Sequence, residues 1–560
     1  MKKIILLVAL ILVFVSCRRV ETETEFVELD KTELSRISPS PGGSIIVPLI
    51  NYETLNPLYS NNSSIYYFSK LVYDSLFIYN EEGQIESNLV EHYVLSPDKM
   101  TLTLTLKNDI FWHDGSKLTT QDVLDTFNYI KNSEIKSPYY NIFRNCVGNG
   151  NTFDASNFLK MEIFDERNID LHFDAPYADH LDMLTFPIMP SNQLNSDMTN
   201  NFEMIGSGPY KLKEVREGIH VELERNDSYH GRLPYISNVY AKIFDNEELA
   251  ALAFETGQTN ISLSRDFNWA RYQDNPRIKI EEFSSNEMDI VVFNNRKQQF
   301  AGENGKKIKQ SISRAINKKR IIDRLFLGKA VETSIPVNLN TINFYGLKSD
   351  TYYNAEKARE LLQEVGYVNL NSMGLLENEN GETINVEIKT NHSNNYKRIA
   401  ADFIIQDLRA IGINAYSNFS IQSIESMNSE QVEKEKSKFR NDLETGDFDI
   451  ALITVNLTDV VDIGSLLHTN SIGVGMNYSN YSNYNLDVLL EKLKLNSEYD
   501  IARENYLSAI EIYTEDMPIV PLYIKTNALL VDETLQGEIN PIQSDIYRKF
   551  RNMFILKQFQ

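Results

Sequence analysis

Between positions 101 and 106 the chain reads Thr-Leu-Thr-Leu-Thr-Leu. Successive side chains of a strand point to opposite faces, so this alternation predicts a half-buried strand. Leu102, Leu104 and Leu106 face a core, and the threonines face outward or across to a neighbour. After a turn at His113-Asp114-Gly115 the period changes. Thr119 is placed to cap a helix with Asp122 three residues on, and Val123, Phe127 and Ile130 then share one helical face. A second helix is predicted from the cap Asn354, through the stripe Ala355, Ala358, Leu362 and Val365, to a left-handed stop at Gly366. A third covers about 396–411, with Ile399, Phe403 and Leu408 inward and Gly412 ending it. Around 431–447 the run Glu433-Lys434-Glu435-Lys436 predicts a solvated helix face. Short strands alternating with amphipathic helices predict a mixed α/β protein from Ser44 onward.

The N-terminus follows another pattern. Lys2 and Lys3 precede residues 4–15, a run of 12 without a polar side chain, and Ser16-Cys17 comes next. A spanning helix needs about 20 apolar residues, whereas the core of an export signal needs about 7 to 15 after a basic start. The stretch Phe14-Val15-Ser16-Cys17 resembles a bacterial lipobox, which implies cleavage after residue 16 and lipidation of Cys17. Residues 17–43 are polar, end in Ser38-Pro39-Ser40-Pro41-Gly42-Gly43, and carry no period that would bury a face. They predict a flexible tether. Cys146, the other cysteine, then has no partner within the chain and is expected in the core.

Composition narrows the function. With 560 residues the chain is several domain lengths long, so several lobes are expected. Its 55 basic against 78 acidic side chains give a net charge of -23, which argues against a nucleic-acid partner, since that affinity is built from clustered Lys and Arg. Enzyme signatures are missing: there is no G-x-S-x-G elbow, P-loop or H-E-x-x-H. Ser96-Pro97-Asp98-Lys99 and Ser133-Glu134-Ile135-Lys136 fit S-x-x-K, but neither is followed by S-D-N or K-T-G. The eight histidines show no ligand spacing, although His220 and His230 could approach across a turn. Neither a metal, a cofactor nor a catalytic centre is expected.

The order of segments resembles family 5 of the bacterial extracellular solute-binding proteins, which includes the oligopeptide and dipeptide binders of ABC importers. Residues 102–127, LTLTLKNDIFWHDGSKLTTQDVLDTF, carry the strongest likeness: a strand, a WHDG turn and a T-x-x-D-V helix. In family order follow Gly206-Ser207-Gly208-Pro209-Tyr210, Leu223-Glu224-Arg225-Asn226, Phe293-Asn294-Asn295, Asn354-Ala355-Glu356-Lys357-Ala358 and Gly446-Asp447-Phe448-Asp449. Pro518-Ile519-Val520-Pro521-Leu522-Tyr523 closes the series, and the likeness spans about 44–555.

This resemblance implies an α/β, two-lobed periplasmic-binding-protein-like fold (type II, cluster C) with an extra domain. Residues 1–16 would be the signal peptide, 44–78, 204–292 and 525–560 a discontinuous domain I, 79–203 domain II and 293–524 domain III. It implies an oligopeptide held between lobes I and III by a monomer that delivers it to ABC permease and ATPase subunits. The body would stand outside the cytoplasm, tied to the membrane by lipid on Cys17. A nickel complex, a sugar or a signalling peptide on the same scaffold is the alternative, with the protein a sensor rather than an importer. The family holds the ligand's ammonium with an Asp after the G-D-F-D strand. Asp459 stands there, given a one-residue insertion, and Asp462 stands at a second family Asp. Tyr478 and Tyr481 could line the cleft, core packing being the other reading of each. Trp112 in the WHDG turn is expected to be structural.

Overall fold

A computed structural model describes residues 38–560 apart from 81, 133–136, 149–156, 195–201, 266, 349–350, 419–427, 458–462 and 497. Cys17 and most of the tether thus lie outside the described residues. The elements below belong to the unit Pro41–Gln560.

The predicted Thr101–Leu106 strand forms, with its leucines buried and its threonines half-exposed. It sits inside an antiparallel four-stranded sheet, ordered Val90–Leu95, Thr101–Leu106, Asn168–Phe173, Leu159–Ile163. Thr103 and Thr105 donate across it to Asp170 and Asn168. The helix Thr120–Asn132 follows, with Asp122, Val123, Phe127 and Ile130 buried. At its start Thr119 is the donor, giving its amide (2.9 Å) and hydroxyl (3.2 Å) to the Asp122 carboxylate. A second four-stranded sheet runs Ser44–Ile50, Asn238–Phe244, His220–Arg225, Tyr210–Arg216, the first pair parallel. One apolar core serves both sheets, joining Val47, Leu104, Phe127, Phe143, Leu171 and Val239, and Cys146 and Trp112 are buried in it.

Two of the sequence motifs bind each other here. His113 of the WHDG turn accepts from the Gly206 amide through Nδ1 at 3.1 Å, so its Nε2 carries the proton and donates to the Gly208 carbonyl at 3.0 Å. Gly206 and Gly208 lie against the backbone of Val72. A Cβ on Gly206 would stand 1.9 Å from the Val72 oxygen, which is why small residues occupy the G-S-G-P-Y segment.

The third sheet has seven strands, ordered Ile261–Ser264, Ile519–Asp532, Ile278–Phe293, Ile450–Asn456, Asn385–Thr390, Asn414–Tyr416, with Ala330–Glu332 added to Ile519–Asp532. Its central strands are apolar on both faces. Val291, Phe293, Ile450 and Leu452 enter one core with Leu362, Ile404 and Leu408, while Ile290, Val292, Ala451 and Ile453 enter another with Leu486 and Tyr513. Strand side chains alternate, so a sheet covered by helices on both sides needs such continuous runs.

Two strands are far longer than the five or six residues usual in a sheet. Ile278–Phe293 has 16 residues, about 50 Å at 3.3 Å per residue, and Ile519–Asp532 has 14. They pair antiparallel from the first core, where Phe283, Leu529 and Val531 are buried, to the second, where Val291 and Val520 are. Their register shifts between Ser284 and Met288, between the two cores. Bulges bend strands locally, so two lobes are joined by a ribbon with a bend built into it.

The other predicted helices are found at Ala355–Glu364, capped by Asn354 and followed by Gly366 at φ 92°, and at Ser429–Thr445, where only Leu443 is buried. Asn395–Ala410 also forms, but its buried face is a correction. Ile399 is 36% exposed and Phe403 half-buried, while Lys397, Ala400, Ala401, Ile404 and Leu408 are inside. The alanines let the helix lie close on the sheet, and Phe403 stays at the rim under the Arg320 guanidinium, 4.9 Å from its ring.

Candidate functional site

A cavity of about 280 Å³ lies where the ribbon bends. The crossing strand Ile278–Phe293 gives it Asn286, within the register shift, and the second lobe gives it Leu457, which follows the Ile450–Asn456 strand and donates its amide to the Asn286 carbonyl at 2.7 Å. The first lobe gives it Tyr66 on the helix Ser63–Ser69, Lys70 after that helix, the start of the helix Tyr140–Val147 with Tyr139 beside it, and the C-terminal segment bearing Asp545 and Arg548. A smaller cavity of about 120 Å³ shares Lys70, Ser75, Tyr139, Asp545 and Arg548 with it and extends to Asp74, Tyr229 and Arg551.

The first lobe's wall is rigidly built. Tyr67 donates to the Gln543 carbonyl (3.0 Å), tying the helix to the C-terminal segment, and Ser75 donates to the Phe77 carbonyl (2.7 Å). Asp74 is buried and accepts from Tyr229 (3.3 Å) at one oxygen and from Ser207 (3.2 Å) at the other, which also lies 3.0 Å from His230 Nε2. Burial alone would push its carboxyl up, but His230, Asn88 and Ser207 more than offset this and hold it below the usual carboxylate range. Asp545 behaves oppositely: burial pushes its carboxyl up in spite of Lys70, Arg548 and Arg551 nearby. The Tyr139 phenol is also pushed up by burial.

The lobes meet again beside the cavity. Ala178 donates its amide to the Lys494 carbonyl at 2.7 Å, and the buried Lys494 ammonium reaches the carbonyl of Asn145, a residue of the cavity wall. Lys99 and Glu498 stand 3.4 Å apart at the rim. Near the other end of the bend, Asp289 accepts from Thr454 (2.8 Å) and Tyr523 (2.7 Å) and pairs with buried Lys397. Burial pushes the Asp289 carboxyl up, and Lys397 and Lys525 bring it below its ordinary value.

The sequence-predicted ligand residues fare differently. Asp459 and Asp462 lie outside the described residues. Tyr478 is half-buried against the second lobe's core, and Tyr481 is buried in that core with its hydroxyl donating to Asp516 at 2.6 Å. Both take the core reading, and neither lines the cavity. His220 and His230 do not come together. His220 faces Glu214 and Glu222, whose carboxylates already hold Arg216 and Lys213, while His230 binds Asp74. Among the S-x-x-K serines, Ser96 donates to Asp98, and Ser133 lies outside the described residues. Sequence reasoning missed Tyr66, Lys70, Tyr139, Asp545 and Arg548. The one signal was Lys70, a cation inside the apolar stretch Ile65-Tyr66-Tyr67-Phe68-Ser69-Lys70-Leu71-Val72.

A two-lobed body with a cavity at the junction can enclose a solute. Comparison with known proteins agrees. The oligopeptide-binding protein AppA of Bacillus subtilis is 25% identical over 520 residues, covering 91% of each chain. Its structure with a nonapeptide is similar with a TM-score of 0.63 at 21% identity, over 93% of this chain and 100% of that one. The substrate-binding protein CtaP of Listeria monocytogenes gives 0.75 at 23% identity, over 92% and 100%. The nickel-binding periplasmic protein of Escherichia coli is 23% identical over 65% of this chain and 68% of its own. Residues 84–473 match the description bacterial extracellular solute-binding proteins, family 5 Middle, so the chain belongs to family 5 of the bacterial extracellular solute-binding proteins.

Proposed function

We propose that the chain is an extracytoplasmic peptide-binding lipoprotein that captures oligopeptides between its lobes and delivers them to the permease and ATPase subunits of an ABC transporter. The observation that supports this best is the position of the cavity. It is walled by both lobes at the bend of the two crossing strands, so shutting the lobes encloses whatever lies in it. The oligopeptide-binding name of the AppA relative supports peptide as the solute. In this reading domain I comprises 44–78, 204–292 and 525–560, domain II 79–203 and domain III 293–524. Asp459 receives the peptide's ammonium, Asp462 supports it, and lipid on Cys17 holds a monomer to the membrane. Among the described residues no helix is long and apolar enough to cross a membrane.

A desolvated ammonium needs a carboxylate, because a buried unpaired charge costs several kcal/mol. Calorimetry with alanine peptides should therefore show Asp459→Ala weakening binding by about 2 to 5 kcal/mol. Unchanged affinity would remove Asp459 from the site. Mass spectrometry of the solute that co-purifies with the protein tests the wider reading. Peptides are expected, and a nickel complex instead, as the nickel-binding relative would suggest, would overturn it.

A further inference from the structure

Charge is unevenly placed around the main cavity. Among the described residues its charged side chains are Lys70, Asp545 and Arg548, and each of these also lines the adjoining smaller cavity. They therefore stand where the two cavities meet. The rest of the described wall is uncharged and mostly apolar, with Phe77, Tyr79, Pro138, Ile142 and Ile542 from the first lobe and Leu457 from the second. Polar groups at this end are turned to the protein. Tyr79 donates its hydroxyl to Asp182 at 2.8 Å, the Phe77 carbonyl accepts from Ser75 at 2.7 Å, and the Asn145 carbonyl meets Lys494. The helix Tyr140–Val147 begins here, yet the amides of Tyr140 and Ile142 bond back to the carbonyls of Ser137 (2.9 Å) and Tyr139 (3.0 Å), so its first turn does not present those donors to a solute. An ion pushed into this end would lose its water without gaining a partner, whereas an apolar group gains by leaving water.

We infer that the uncharged end of the cavity receives an apolar side chain of the solute, and that the protein therefore selects among peptides at one position. This rests on the peptide reading above and adds a side-chain requirement to it. Leucine or phenylalanine is accepted at that position, and aspartate, glutamate, lysine and arginine are refused because their desolvation is not compensated there. Ile142, half-buried against the first lobe's core and part of the cavity wall, is the specificity-determining residue.

The test uses alanine peptides of two to nine residues in which leucine, aspartate or lysine replaces each alanine in turn, with binding measured by calorimetry on the wild type and on Ile142→Asn. In the wild type one position should show leucine binding about tenfold or more tighter than alanine, with aspartate and lysine weaker than alanine. In Ile142→Asn the leucine advantage at that position should fall to about twofold or less. The absence of any position with the order leucine, alanine, then the ions would overturn the pocket. A leucine advantage that persists undiminished in Ile142→Asn, with its melting point unchanged, would move the pocket to another wall and overturn the assignment. Failure of the wild type to bind any peptide of the series would instead overturn the peptide reading on which the pocket rests. The scan on the wild type needs no variant, so it decides even if Ile142→Asn does not fold.

Discussion

His113 shows how a single side chain joins two distant pieces of sequence. Its ring accepts at Nδ1 and donates at Nε2, an arrangement open only to the neutral form, and burial lowers its pKa from the ordinary 6.5. The sign follows from linkage. The folded value lies below the unfolded one, so the contribution to stability is whole above about pH 6.5 and is lost as pH falls through the folded value. Thermal unfolding of the wild type should weaken between pH 7 and 5 more than that of His113→Gln, which cannot titrate there. Parallel pH curves for the two would contradict the neutral-ring arrangement. Asp74, depressed chiefly because His230 and its hydrogen bonds outweigh burial, acts in the same direction lower down, from its ordinary 3.8 as pH falls further. The glycines and the WHDG turn were legible in the sequence as motifs. That His113 grips Gly206 and Gly208 was not, because a motif records residue types and not the partner they meet.

At the scale of elements, periodicity carried most of the fold. Leu102, Leu104 and Leu106 turn inward as alternation requires, and the Asn354 cap and Gly366 stop bound their helix as expected. The helix Asn395–Ala410 marks where that reasoning gives out. A stripe chosen by bulk selects Ile399 and Phe403, but close packing on a sheet favours Ala400 and Ala401, and the inward charge of Lys397 is intelligible only beside Asp289, far off in sequence. That buried pair fastens the helix to a crossing strand, with Thr454 and Tyr523 completing the carboxylate's partners. Removing one member of a buried pair strands the other charge, so Asp289→Asn should destabilise the protein by about 3 to 5 kcal/mol in denaturant unfolding. Replacing both residues with apolar ones of like volume should recover most of that loss. A loss below about 0.5 kcal/mol in the single variant would show that Lys397 reaches water instead.

For the whole molecule, the two-lobed plan was legible from the order of motifs, whereas the cavity wall was not. Tyr66, Lys70, Tyr139, Asp545 and Arg548 come from stretches remote in sequence, and only the fold of the C-terminal segment against the helix Ser63–Ser69 brings them together. Beside the ribbon, Lys494 and Ala178 form one contact between the lobes. Lys494 reaches the end of the helix Tyr140–Val147, where carbonyls favour a cation, and that helix begins at the cavity. Solute in the cavity and the Lys494 contact thus act on one element. Lys494→Met should leave the melting of each lobe's core little changed but shift the free protein toward an opened form, weakening solute binding by up to about tenfold. An unaltered affinity would show that this contact does not bias closure.

The central claim is that the lobes shut on a solute at the bend of the crossing strands. Small-angle scattering from the protein, stripped of ligand by unfolding and refolding and then titrated with alanine peptides of two to nine residues, measures this most directly. A smaller radius of gyration on adding at least one peptide, saturating at one peptide per chain, is the predicted result. Profiles that superimpose with and without every peptide would contradict it.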